Sequence, residues 1–415
     1  MVNLPEWIWS HRQKKFNYSM KYNFALFFQS FFKSFFRSKS THARLTKNRI
    51  SFLLLFYFVW PVWGVIVWLT FYLDHLFFRR FTQQTMDKPL FITGNFRSGS
   101  TFLQRIIAKD KNQFISARTW DIFLSPSVTL TKLFSWILSL DRKIGNPIKK
   151  MFRKFDQRTL GQVDIHRISF FEPEEDENFL LHLWSSYFGG VLFPFMEDYE
   201  KYLYFDRRVS SKEKSKIMQF YRGVVQRFLF ARGGNRKLLS KNPSFSPKIS
   251  SIIETFPSAR IIYLVRNPLE MLPSTVSWLS YAYRVFSDPL TDYPFAQKIL
   301  QFSKHWYEYP LNTLDSIDTS KYIIVKYEDL VQHPQETIRD IYRHFYYEMS
   351  PEFSAEIDLL VNEASSFRSR HKYSLEEMGI TREQVLEEFS EIFSRFGFEK
   401  DLDGISPAGK ESTLN

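Results

Sequence analysis

Four groups of residues have the types and spacing to do chemistry. The first is Gly94-Asn95-Phe96-Arg97-Ser98-Gly99-Ser100-Thr101, in which Gly94 and Gly99 have the spacing of a phosphate-binding loop. Such glycines let backbone N–H groups converge on an anion at a helix N-terminus. Ser100 stands where a nucleoside triphosphatase carries the Lys that neutralises the β and γ phosphates, while Arg97, three positions earlier, supplies positive charge. The second group is Arg266 and Ser274, eight residues apart across a strand-to-helix turn. The third is Lys241, within Leu239-Ser240-Lys241-Asn242-Pro243. The fourth is the acidic stretch Glu172-Pro173-Glu174-Glu175-Asp176-Glu177, a source of proton acceptors. Glu175 and Glu177 are the favoured base candidates, with His166 and His182 as imidazole alternatives. A plainer reading makes these acids solvated partners of a helix dipole.

These groups need a scaffold. From about Met86 the sequence becomes short β-rich runs separated by helical stretches. Leu90 to Thr93, Lys237 to Leu239, Arg260 to Val265 and Tyr322 to Val325 read as buried strands, which predicts an α/β body with a central parallel sheet flanked by helices. The first strand runs into the glycine loop, and Phe102 to Ile107 follows as a helix.

Residues 1–85 read differently, as a basic, Phe-rich helical arm set against a catalytic domain at 86–415. Of the formal charge of +12, residues 1–49 hold +9, from ten Lys/Arg against Glu6, so the rest keeps +3. That distribution favours an anionic membrane surface over a nucleic-acid groove. Phe24, Phe27, Phe28, Phe31, Phe32, Phe35 and Phe36 keep the spacing of an amphipathic helix. Ile50 to Leu73 is a run of 24 residues without a charge, long enough to span a bilayer, yet Pro61, Gly64 and three Trp also fit a re-entrant or interfacial anchor. The chain has no Cys, which excludes disulfides, thiolate metal sites and cysteine nucleophiles.

Phe96-Arg97-Ser98-Gly99-Ser100-Thr101-Phe102-Leu103 resembles the 5′-phosphosulfate loop of sulfotransferases that use 3′-phosphoadenosine 5′-phosphosulfate (PAPS). Arg266-Asn267-Pro268-Leu269-Glu270-Met271-Leu272-Pro273-Ser274 resembles their 3′-phosphate motif. The likeness, strongest to the bacterial-type group with its P-loop-like fold, runs from Leu90 to Phe398. It implies that Arg97, Ser98, Gly99, Ser100, Thr101 and Phe102 meet the donor, with Arg266 and Ser274 at its 3′-phosphate and Arg368, Arg370 or Lys372, in a further similar segment from Arg368 to Gly379, closing over it. It places Lys241 near the transferred group; in cytosolic members a catalytic His lies two residues beyond this Lys, where Pro243 stands here. Lys326-Tyr327-Glu328-Asp329-Leu330 resembles a further, structural landmark.

The expectation is therefore a membrane-associated, metal-independent sulfotransferase acting on a hydroxyl or amine of a lipid, sterol or glycan and taking no nucleic acid. Its catalytic body would face the cytoplasm or, in a type II arrangement, the lumen. The alternatives are a kinase using ATP and Mg, and a membrane-tethered scaffold without activity.

Overall fold

Alternation along the strands explains how the body is layered. In the computed structural model, which describes residues 22–159, 169–364 and 374–398, the strands are β1 (Leu90–Gly94), β2 (Phe114–Ile115), β3 (Lys237–Lys241), β4 (Arg260–Val265) and β5 (Tyr322–Lys326). They form one parallel sheet in the order β2-β3-β1-β4-β5. Successive side chains point to opposite faces, so Leu90 and Ile92 join one apolar cluster and Phe91 the other. Both faces are covered, and β1 is buried at every residue. The expected α/β architecture is thus present. The unexpected strand is β2, whose two residues are too few to give a periodic signal.

The register sets the site. Ile92 pairs with Lys241 and Gly94 with Leu264, so Lys241, the loop and the residues after Val265 gather at the carboxyl edge of the central strands. In open parallel sheets that edge is where ligands bind.

The N-terminal helices are α1 (Phe24–Phe36) and α2 (Lys47–Phe77). Leu26, Phe27, Leu53, Val67 and Phe71 belong to the same buried cluster as the body. The 31-residue α2 is continuous through Pro61 and Gly64, and Asp74 near its end caps a later helix, Val128–Lys143, by accepting the N–H groups of Val128 (2.9 Å) and Thr129 (2.8 Å).

Candidate active site

The glycine loop is shaped by close approaches. At Gly94 φ is +145°, and a Cβ there would lie 2.4 Å from the carbonyl oxygen of Leu264 on β4, so a side chain would have to displace the sheet. Arg97 (φ +62°) and Gly99 (φ +87°) turn the chain through left-handed conformations into helix α3 (Ser100–Ile107). The first α3 bond runs from the Leu103 N–H to the Gly99 carbonyl at 3.1 Å, so the amides of Ser100, Thr101 and Phe102 belong to the positive end of the helix. Phe96 is buried against Trp278 and Trp306 and anchors the loop from below. The Ser98 hydroxyl is turned back to the Asn95 carbonyl.

The two cationic motifs meet. Arg97 Nε donates to Ser274 Oγ at 3.0 Å, and Arg266 Nη1 donates to the Arg97 carbonyl at 2.9 Å. Ser274 sits in the helix Pro268–Phe286, which Asn267 caps by accepting the Leu269 N–H at 3.0 Å. Pro273 removes one helical bond, and the helix nevertheless continues to Phe286. The Arg266 guanidinium lies 4.1 Å over the Tyr327 ring and pairs with Glu270 at 2.9 Å. The same Tyr327 ring abuts Gly99, so the landmark after β5 props both motifs.

The acidic stretch is solvated only at its start, where Glu172 is exposed; Glu175, Asp176 and Glu177 are buried. It turns inward as a 3₁₀ helix, Asp176–Leu183, because its carboxylates find partners inside. Glu177 Oε1 binds Lys248 Nζ at 2.8 Å and its Oε2 accepts the Ser186 hydroxyl at 2.6 Å. Asp176 accepts from Tyr221 at 2.6 Å, Ser240 at 2.8 Å and the Asn242 amide. Glu175 Oε1 binds Lys241 Nζ at 2.9 Å, while its buried Oε2 has no hydrogen-bond partner among the described residues. Burial raises the pKa of all three acids; Lys241 opposes this at Glu175, and Lys248 opposes it at Glu177. Lys241 and Glu175 thus meet in one buried pair, whereas Glu177 is engaged on both oxygens.

His182 is placed elsewhere, with Nε2 2.9 Å from the Ile122 carbonyl and its ring stacked on Trp60. Burial lowers its pKa to about 4. His166, Arg368, Arg370 and Lys372 lie outside the described residues. Lys248 and Tyr221 carry no motif, and although Asn242 adjoins Lys241, no spacing in the sequence points to any of the three as partners of the acids. A groove of about 970 Å³ opens beside Phe102 and runs past Arg105 and Lys109 to Arg118 and Arg232.

Comparison with known proteins bears on the family and the fold. A model described as Sulfotransferase family matches residues 89–351. The chain is similar to the omega-hydroxy-beta-dihydromenaquinone-9 sulfotransferase Stf3 of Mycobacterium bovis and of Mycobacterium tuberculosis. In each case it is 24% identical over 326 residues, 76% of either chain. In fold it is similar to the sulfotransferase STF1 of Mycobacterium tuberculosis, with TM-score 0.64 and 17% identity over 89% of this chain and 92% of that one. It is also similar to STF9 of Mycobacterium avium, with TM-score 0.64 and 17% identity over 79% and 81%.

Proposed function

The chain belongs to the sulfotransferase family, and we propose that it moves a sulfuryl group from PAPS to a hydroxyl or amine of a lipid acceptor, leaving adenosine 3′,5′-bisphosphate. The observation that carries the donor assignment is the meeting of Arg97, Ser274 and Arg266 at the positive end of α3, in a loop that lacks the triphosphatase Lys. Two guanidinium groups beside the amide end of α3 fit a ligand bearing two anionic groups. In this reading Arg97 and the residues Ser98 to Thr101 hold the 5′-phosphosulfate. Arg266 and Ser274 hold the 3′-phosphate, joined by Arg370 from outside the described residues. Phe102, at the mouth of the groove, offers its ring to the adenine.

When bound, PAPS supplies an activated sulfuryl group on a phosphate leaving group. The protein's share is position, charge and one proton acceptor. Glu175 takes the acceptor's proton on Oε2, since Oε1 is held by Lys241 and burial has raised its basicity. Lys241 balances the negative charge that grows on the departing phosphate. Glu177, bound by Lys248 and Ser186, holds the segment in place.

A lipid acceptor is supported by the similarity to a protein named for a hydroxylated dihydromenaquinone and by the Phe-rich helices at the N-terminus. The division at residues 85 and 86 is then one of role, since α1 and α2 share the body's core. We place the body on the cytoplasmic side of a membrane, where it meets both donor and lipid. An ATP-using kinase is disfavoured by Ser100 at the Lys position. Thermal shift separates the two readings: adenosine 3′,5′-bisphosphate stabilises the protein and ATP with Mg²⁺ does not. Transfer of labelled sulfate from PAPS into a lipid extract tests the acceptor class, and labelling confined to water-soluble glycans would overturn it.

A further inference from the structure

We propose that α2 does not cross a bilayer but lies along its surface, so that α1, α2 and the helix Val128–Lys143 form one apolar face seated in a single leaflet of an anionic membrane. The first argument is how α2 is held. A helix of 31 residues is about 46 Å long at 1.5 Å per residue, and the body touches it from end to end. At its start Arg49 Nη1 donates to the carbonyls of Leu192 (2.8 Å) and Phe286. Further along, Phe56 packs on Phe193, and Trp63 donates to the Phe123 carbonyl at 2.8 Å. Near its end Phe71 packs on Phe220, and Asp74 pairs with Arg227 at 3.0 Å with both side chains buried. A spanning α2 would have to shed this whole contact face or carry the sheet-bearing body into hydrocarbon, where unsatisfied backbone and charged groups are prohibitive.

The second argument is what covers the opposite side. Leu55, Phe58, Val65 and Leu69 of α2 are 55–73% exposed, on a run that carries no charge. Alongside, α1 seats Phe31 and Phe35 on Tyr57 of α2 and turns Phe24, Phe28, Phe32 and Phe36 outward at four-residue intervals. At the other end the helix Val128–Lys143, tied to α2 by Asp74 and by Lys132 over the Phe78 ring, exposes Leu133, Trp136 and Leu140. So large an apolar surface is foreign to a water-facing monomer.

The third argument is charge, which selects the occupant. Arg37, Lys39 and Lys47 are exposed at one end of the face and Arg79, Arg80 and Lys132 at the other, with Arg142, Lys143, Lys149 and Lys150 beyond. Apolar helices rimmed by cations match an anionic leaflet, in which the rings enter the acyl boundary and the cations meet headgroups.

The absence of native Cys makes a direct test available. Asn48→Cys and Arg80→Cys, one at each end of α2 and both exposed, are made separately in the full chain and bound to phosphatidylglycerol–phosphatidylcholine vesicles. A membrane-impermeant maleimide added outside labels both. Protection of either site until detergent is added would mean that α2 spans, and overturns the proposal. Flotation with the mixed vesicles exceeds that with pure phosphatidylcholine, and Trp136→Glu with Leu140→Glu lowers the bound fraction about ten-fold. Failure of the wild type to float, including the case where the face joins two copies in solution, overturns it equally. The thermal shift with adenosine 3′,5′-bisphosphate is read on every variant. Its absence alongside intact docking would count against the donor assignment and leave the membrane inference standing.

Discussion

The carboxyl edge of the sheet carries two charged regions built on opposite plans. Around Arg97, Arg266 and Ser274 the cations are partly exposed and held by a hydroxyl, a backbone carbonyl, an aromatic face and the exposed Glu270 carboxylate. Around Glu175, Asp176 and Glu177 the charges are buried, and each carboxylate is matched inside by Lys241, by a ring of hydroxyl and amide donors, or by Lys248. The first region keeps charge in reserve for an anion that arrives from outside. The second spends its charge on itself, apart from one oxygen of Glu175. In the proposed reading the open cradle binds, and the closed layer fixes the fold while offering a single basic atom.

That contrast can be broken at its sharpest point by Glu175→Gln, which keeps an acceptor for Lys241 and removes the base. It should lower kcat about 10²- to 10⁴-fold with little change in nucleotide binding. Because burial raises the Glu175 pKa and the ionised form is the active one, wild-type kcat should fall as pH drops through a value above the usual carboxylate range. The Gln variant should lose that limb, and a limb that survives would move the base elsewhere.

Next in size is Lys248→Ala, which strands a buried carboxylate at Glu177 and should cost about 3–5 kcal/mol of stability, read as a lower Tm without ligand. On the open side, Arg266→Ala should weaken adenosine 3′,5′-bisphosphate about ten- to a hundred-fold while the ligand-free Tm stays put. An equal loss of Tm there would erase the distinction between the regions. Ser274→Ala should have the smallest effect, about two- to ten-fold in nucleotide affinity by calorimetry.

The open region was legible in the sequence because its residues lie in contiguous motifs with local geometry. Gly94 and Gly99 must be glycine for reasons of turn and close approach, and Arg266 to Ser274 is a single strand-to-helix connection. β1 and β4 were legible for a similar reason, since a run buried on both faces is largely apolar, whereas β2 at two residues was not, and β5, read as buried, is buried only at Val325. The closed region could be found but not interpreted. A cluster of acids beside a helical run looks solvated until the fold brings Lys241, Lys248, Ser240 and Tyr221 to it from tens of residues away. The same holds for α2, whose sequence admits a span, a hairpin or a surface helix. Local motif spacing was enough to point to an anion site at the glycine loop, and residue content to an apolar, cationic N-terminal segment. Which acid keeps a free oxygen, and which way the apolar helix lies, were decided by tertiary contacts, because pairing and burial depend on residues distant in the chain.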